Sequence, residues 1–459
     1  MLALLIRKEL LDHLLSLRFA MACIICPVVI LSSVFILARD YRDASQDYHT
    51  NVVMHRDQLE EIRFPHQLTI DGMVVDKPLN PIKVFFSGVD ENHTASVRVG
   101  GFGAPEIQAD FEKNPVSLLF PIMDLTFVAG IIMSLLAIAF SYDAFSGEKE
   151  LGTLKVVMSY SVPRDLLLFS KWIGGCVALL VPFLLSVLLG LVLSLMFPEV
   201  DLSGDDWQAL ALAIGGVIVY LSTIYALGLF VSARTSLAST SITVLLLVWV
   251  VVVLIFPNLS PYVAGLMVET PSMQSIEAEK AQLQADEMAR FMGEWQPYIQ
   301  SAQQDGIPLE QIIAKYKELE TRMREQVKEG HGKIDADFRR SMDAQIELAR
   351  TISKVSPAAV FAIAVTDFSG TGVEEKGNFR DSLQRYADQY MNWAYAKFDP
   401  KIYEGEATLD VTDYPRYKYE LLSLADRVGA TSMDMLILLV WNLVFLLLAY
   451  VSIIKYDVQ

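Results

Sequence analysis

The chain has 459 residues, 53% of them hydrophobic and only 20% charged, with a mean hydropathy of +0.37. Soluble domains run at about 45–50% apolar and about 25% charged, so an ordinary soluble domain, a disordered chain and a fibrous protein are all excluded. Lys and Arg number 37 against 54 Asp and Glu, a net −17 that lacks the basic footprint of a nucleic-acid binder. The three cysteines, Cys23, Cys26 and Cys176, sit in apolar stretches and cannot form a disulfide framework.

Residues 1–18 alternate Leu2, Leu4, Leu5, Ile6, Leu10, Leu11, Leu14, Leu15 and Leu17 with Arg7, Lys8, Glu9, Asp12 and His13. That spacing predicts an amphipathic helix along a membrane surface; an extension of the following span is the alternative. Six stretches then reach the roughly 20 apolar residues a span needs: 19–38, 118–140, 172–197, 207–231, 239–259 and 433–454. The first runs past Cys26-Pro27 without an Ala-x-Ala site, so it reads as a retained span and not a cleaved signal.

Orientation follows Lys and Arg in the short loops. Arg7, Lys8 and Arg18 precede the first span; Lys149, Lys155, Arg164 and Lys171 lie between the second and third. Arg234 falls in the 232–238 loop and Lys455 in the 455–459 tail, whereas 198–206 carries no cation. Both termini are therefore expected in the cytoplasm, with 39–117 and 260–432 outside.

The first outer segment mixes a helical pattern over 46–62 with strand patterns at 68–75 and 96–99. It holds His49, His55, His66 and His93, whose spacing matches no metal template, so scattered surface histidines and no metal site are expected. The second outer segment carries an excess of eight acids and predicts two long helices, 275–304 and 308–354, turned at Gly306-Ile-Pro308. Their charge runs read as solvated faces, and the arms are expected to project well beyond the membrane onto a partner. The apolar run 358–365 is too short to span; it suits a helix at the outer interface or one packed under the arms. The aromatics Tyr386, Tyr390, Trp393, Tyr395 and Phe398 fit an interfacial belt or a packed core equally well.

Chemistry-bearing motifs are few. There is no Gly-x-x-x-x-Gly-Lys-Ser/Thr loop, no His-Glu-x-x-His and no nucleophile elbow. Asp124 and Asp434 at span ends are ionisable groups near the membrane: transport groups, or simply hydrated. Asn442 lies deeper and is expected to make an interhelical hydrogen bond. In 141–171, Gly147 and Gly152 bracket a short charged helix, Glu148-Lys149-Glu150, followed by an amphipathic helix and a break at Ser161-Val-Pro163. Such a helix, pinned between two spans, is either gripped by a soluble partner or a plain connection.

This stretch resembles the signature of permease subunits of type 2, exporter-like ABC transporters: Glu-x-Glu-x-Gly-Thr-Leu, then Pro-x-x-Arg and Gly-Lys entering the third span. Glu148, Glu150, Gly152, Thr153, Leu154, Pro163, Arg164 and Lys171 match; Ser170 departs from the glycine. The leader, which carries Arg7-Lys8-Glu9-Leu10, and the six spans agree. Residues 80–90 and 356–372 resemble, less specifically, recurring pieces of a subfamily with large extracytoplasmic insertions.

The resemblance implies an α-helical integral membrane protein with six transmembrane helices and an amphipathic elbow. A mixed α/β outer segment and a long helical outer domain complete it. It implies a bacterial inner-membrane location, a second permease copy or paralogue, membrane lipid, and a separate ABC ATPase that binds ATP and Mg. This chain would be no enzyme, and Glu148, Lys149, Glu150, Gly152, Thr153, Leu154 and Arg164 would couple it to the ATPase. Two other functions stay open: an ATPase-driven device that moves no cargo but transmits force to outer proteins, and a membrane sensor. A sensor calls for a cytoplasmic output domain, for which the pattern offers no candidate.

Overall fold

A computed structural model describes residues 1–89, 96–99, 106–108, 123–160, 162–403 and 406–456. The expected start of the second span at 118–122, together with Asp90, His93 and Ser161, lies outside the described residues.

Helix α1 (Leu2–Leu14) is the elbow. A break at Leu15-Ser16 follows, where the Ser16 hydroxyl accepts from Phe19 N and caps α2 (Leu17–Glu60). The apolar stretch 19–38 is thus only the first half of one 44-residue helix. The polar residues after Ala38 are good helix formers, and nothing before Glu61 stops the helix. Helix α3 (Pro65–Ile70) takes the first three residues of the expected strand 68–75, whose last three are strand. Pro65 at the first turn and the Gln67 side chain, which accepts from Phe64 N at 3.2 Å, favour a helix there. Gly72, at φ +66°, then turns the chain into β1 (Met73–Asp76). Strands β2 (Ser96–Val99) and β3 (Glu106–Gln108) complete an antiparallel sheet in the order β1-β2-β3, with Met73 opposite Val99 and Val97 opposite Ile107.

The second span comprises α4 (Leu125–Phe127), a π-helical segment Val128–Met133 and α5 (Ser134–Ser141). The connector holds α6 (Ser146–Glu150) and α7 (Thr153–Ser159). Helices α8 (Arg164–Ser194) and α9 (Gly204–Arg234) are the third and fourth spans. The fifth runs through α10 (Ala238–Trp249), a π-helical segment Val250–Ile255 and α11 (Phe256–Met267). The arms are α12 (Met273–Asp305) and α13 (Leu309–Ser353), turned at Gly306, whose φ of +65° needs no Cβ. Then come α14 (Pro357–Phe368), α15 (Val373–Ala396), α16 (Pro400–Tyr403) and the sixth span, α17 (Leu424–Ile454), which begins nine residues before its apolar stretch. Among the described residues, six helices are long and apolar enough to cross a membrane, making this an α-helical membrane protein.

Among the described residues, three separate cores hold these elements. The largest fills the bundle of spans and includes Phe140, Phe183, Tyr220, Tyr225 and Phe361. Helix α14 belongs to this core and not to an interface layer. Phe361 stacks on Tyr220 with centroids 4.3 Å apart, and Val365 lies against Gly216. The Ser356 hydroxyl donates to Val252 O at 2.6 Å, and Trp441 Nε1 donates to Lys354 O at 3.2 Å. The α13–α14 corner therefore reaches down among the spans, and α14 returns toward the arm side. Too short to cross, an apolar helix satisfies its surface by entering the bundle.

The second core joins both long insertions into one α/β domain: Leu59, Leu68, Val75, Val97 and Val99 meet Phe379, Leu383, Tyr386 and Tyr390. Of the aromatics left open between belt and core, Tyr386 and Tyr390 are core. His55, partly buried in this region, has its Nδ1 2.8 Å from Asp76, which also accepts from Ser96 Oγ at 2.6 Å. His55 is thus an internal hydrogen-bonding group and not a surface residue. The third core is small and private to the arms: Phe291, Leu319, Met323 and Val327.

Candidate functional site: the connector beside the elbow

The connector 141–171 lies against the elbow and the near ends of four spans. Elbow α1 seats closely on α8 because position 174 is glycine: a Cβ there would come 2.9 Å from the Glu9 Cβ. The seat brings Glu9 to Lys171, whose ammonium is 3.2 Å from both carboxylate oxygens. Glu148 of α6 closes the group, its Oε1 2.8 Å from the same ammonium. Lys171 is 3% exposed. A lysine that deep requires anionic partners, and it takes them from two separate elements. Lys8 lies 3.8 Å from Glu148 at the rim. The resulting lock ties elbow, connector and third span together.

Three other charged connector residues, Lys149, Glu150 and Arg164, bond the ends of neighbouring spans, whereas Lys155 and Asp165 are exposed. The Lys149 ammonium donates to Ala233 O and to Thr235 O, the latter at 3.0 Å, and sits 5.1 Å from the Tyr456 ring. Glu150 Oε2 accepts from Ala238 N at 3.0 Å, capping the start of α10. Arg164 donates to Ile453 O and Ile454 O at the end of α17, where the last carbonyls lack helical partners. Thr153 Oγ1 donates to Glu148 O at 3.3 Å, and Leu154 is buried. Gly152, at φ +74° with nothing within 4 Å of where a Cβ would stand, is needed for its backbone conformation alone. Beside the exposed polar residues Glu150, Thr153, Lys155 and Ser159, this surface carries three exposed apolar side chains, Leu151 at 80%, Val156 at 57% and Tyr160 at 69%.

Several members of this site carry no role that their sequence pattern alone suggests. Glu9 and Lys171 form its buried centre. Arg18 grips Asp143 in a bidentate pair at 2.8 and 2.6 Å, and the Ser232 hydroxyl accepts from Phe145 N and Ser146 N at 3.0 Å. One signal points to them: a lysine opening an apolar span must find an acid, and Glu9 is the inward-facing acid of the leader.

The intramembrane polar candidates stay apart from the connector and from one another. Asp124 is the N-cap of α4, accepting from Phe127 N at 2.8 Å and Ser87 N at 3.0 Å, so both its oxygens serve backbone donors. Asp434 is buried near the charges of Arg350 and Lys354. Asn442 Nδ2 donates to Ser222 Oγ at 2.8 Å, to which Trp172 Nε1 also donates at 3.1 Å, linking three spans. A cavity of about 220 Å³ at the arm side is lined by Asp367, Glu374, Glu375, Asp426 and Arg427. Its acids are accounted for locally: Glu374, Glu375 and Asp426 lie in first turns of helices, and Asp367 pairs with Arg350. No group of three or more metal-ligating side chains occurs among the described residues.

Over residues 3–458 the chain matches the family model described as ABC-2 family transporter protein. It is 31% identical over 166 residues to the probable ABC transporter permease protein NosY of Pseudomonas aeruginosa, covering 35% of this chain and 58% of that protein. Against the protein of the same name from Stutzerimonas stutzeri it is 30% identical over 143 residues, 29% of this chain and 49% of that one. The chain thus spans about half the length of these relatives. The family match is not so confined: it runs through all six spans and both insertions, and on that ground the chain belongs to the ABC-2 family of transporter proteins, as a membrane-spanning permease.

Proposed function

We propose that this permease couples ATP hydrolysis by a separate ABC ATPase to movement of a substrate across a bacterial inner membrane. Both termini and the connector face the cytoplasm, two permease chains pair, and ATP and Mg are held by the ATPase. The observation that carries this reading is the Lys171–Glu9–Glu148 lock. A push on α6–α7 reaches the third span through Glu148, the elbow through Glu9 and the fourth and fifth spans through Lys149 and Glu150. The docking face is the apolar knob Leu151, Val156 and Tyr160, while the charged residues behind it position the helix.

Two variants of the purified complex in vesicles separate contact from positioning. Leu151→Glu should lose the bound ATPase while the permease stays folded. Glu148→Gln should keep the ATPase bound but lower substrate-stimulated hydrolysis severalfold. Retention of full ATPase binding by Leu151→Glu, or unchanged coupling in Glu148→Gln, overturns the assignment.

A second reading is favoured by the entry of α14 into the bundle, where it occupies space between the fourth and sixth spans. Here the permease transmits ATP-driven movement to an extracytoplasmic protein and passes no cargo. ATP-dependent uptake into inverted vesicles supports the transport reading; ATP-dependent change at the arms without uptake of any tested solute supports the second.

A further inference from the structure

The arms do not stand free of the α/β domain, and what joins them differs from the rest of the molecule. Helix α2 carries the first span unbroken to Leu59 in the core of the α/β domain. Helix α15 buries Phe379, Leu383, Tyr386 and Tyr390 in that same core. The arm α12–α13 closes on its own core and is rooted elsewhere: Ser353 Oγ lies 2.7 Å from Ser260 Oγ of the fifth span, and Lys354 O accepts from Trp441 of the sixth. Among the described residues, these two cores share no member.

Among the described residues, three ion pairs and one cation–ring contact form the ladder that bridges the gap. Arg350 reaches Glu374 at 2.7 Å, Arg339 reaches Asp381 at 3.4 Å and Lys328 reaches Asp388 at 2.7 Å. The Arg324 guanidinium lies 3.6 Å from the centre of the Tyr395 ring. Every cation is on α13. The acids of α15 recur every seven residues, and Arg350, Arg339 and Lys328 every eleven, so each set keeps one face of its helix. Arg350 at the base is half-buried and also pairs with Asp367, whereas the Arg339 and Lys328 rungs are open to water.

We propose that this ladder is a releasable clasp, and that the arm swings away from α15 about its base near Arg350. Two rods rooted in different spans must shear at their far ends when those spans move. Exposed ion pairs are the contact that shears most readily, because water replaces them at little cost. A buried apolar seam between α13 and α15 would fix the arm; among the described residues the two cores share none, and apart from the Tyr395 ring the contact is governed by charge and screening.

The test uses the full-length protein alone in lipid nanodiscs, without ATPase or nucleotide, so its outcome is independent of the coupling reading. Spin labels are placed at Lys333→Cys on α13 and Gln389→Cys on α15, with Cys23 replaced and the buried Cys26 and Cys176 kept. At about 20 mM salt, pulsed EPR should give one short distance; at about 1 M, where screening acts within about 3 Å, a second, longer population should appear. Lys328→Glu with Arg339→Glu should populate the longer distance at low salt. Adding Asp388→Arg and Asp381→Arg should restore the short one, which also certifies that the variants fold. A single unchanged distance through the salt series and the charge reversal overturns the clasp, as does failure of the fourfold swap to restore it.

Discussion

The lock beside the elbow and the ladder beside the arms are both built from Lys or Arg with Asp or Glu, at similar distances. They differ in burial: Lys171 is 3% exposed, whereas the Lys328 and Asp388 side chains are 68% and 48% exposed. In the lock, separating the ions leaves charges in a low-dielectric interior, so the elements move together or not at all. In the ladder, water and salt compensate each ion as it leaves. The same chemistry thus serves as a rivet at one end of the molecule and a clasp at the other.

The largest effect is expected at the rivet. Lys171→Met leaves Glu9 and Glu148 facing each other without their cation and should cost about 3–5 kcal/mol, read as lost folded yield and a lower Tm. Combining it with Glu9→Gln and Glu148→Gln should recover most of that loss; no recovery would mean that Lys171 acts through packing. Phe361→Ala should cost about 3–4 kcal/mol, because it opens a cavity against Tyr220 in the bundle core. If Phe361→Ala instead behaves like a surface change, α14 does not sit among the spans.

Asn442→Ala should cost about 1 kcal/mol through one lost interhelical hydrogen bond, measurable by denaturant titration in detergent. Arg339→Ala should cost under about 1 kcal/mol and nothing at high salt, since it removes one exposed pair. A salt-independent loss at Arg339 would erase the contrast between the two regions.

One further measurement probes the base of the clasp. Burial pushes the Asp367 carboxyl up to about 6, against the opposing pull of Arg350. The folded state then binds more protons than the unfolded state between about pH 4 and 6. The contribution of Asp367 to stability therefore falls as pH rises through that window and is level above it. Asp367→Asn should flatten this part of the stability profile; an unchanged slope would assign it to another group.

Much of the architecture was legible in the residues. Six apolar runs specify six spans, because an apolar run of that length satisfies its own backbone in lipid as a helix. Ser96–Val99 reads as a strand and is one, and the arm helices turn where Gly306 permits a positive φ. The length of α2 was not legible, since hydropathy ends a span at Ala38 while helix propensity continues to Glu60. Nor was the strand-like run Leu68-Thr69-Ile70, which a proline at the helix start overrides.

For the candidate site, sequence alone determined which residues are charged, where the chain must bend and that Lys171 needs an acid. Only the tertiary structure decided which acid it takes, that Glu148 and Lys149 turn inward, that Glu150 caps α10, and that Leu151 stays at the surface. It likewise decided that α14 enters the bundle and that α13 meets α15 through water-exposed pairs. The physical reason is common to all of these. Periodicity fixes the faces of a single element, whereas the direction a charge takes depends on the desolvation and partners offered by elements distant in the chain, as with Glu9 and Lys171.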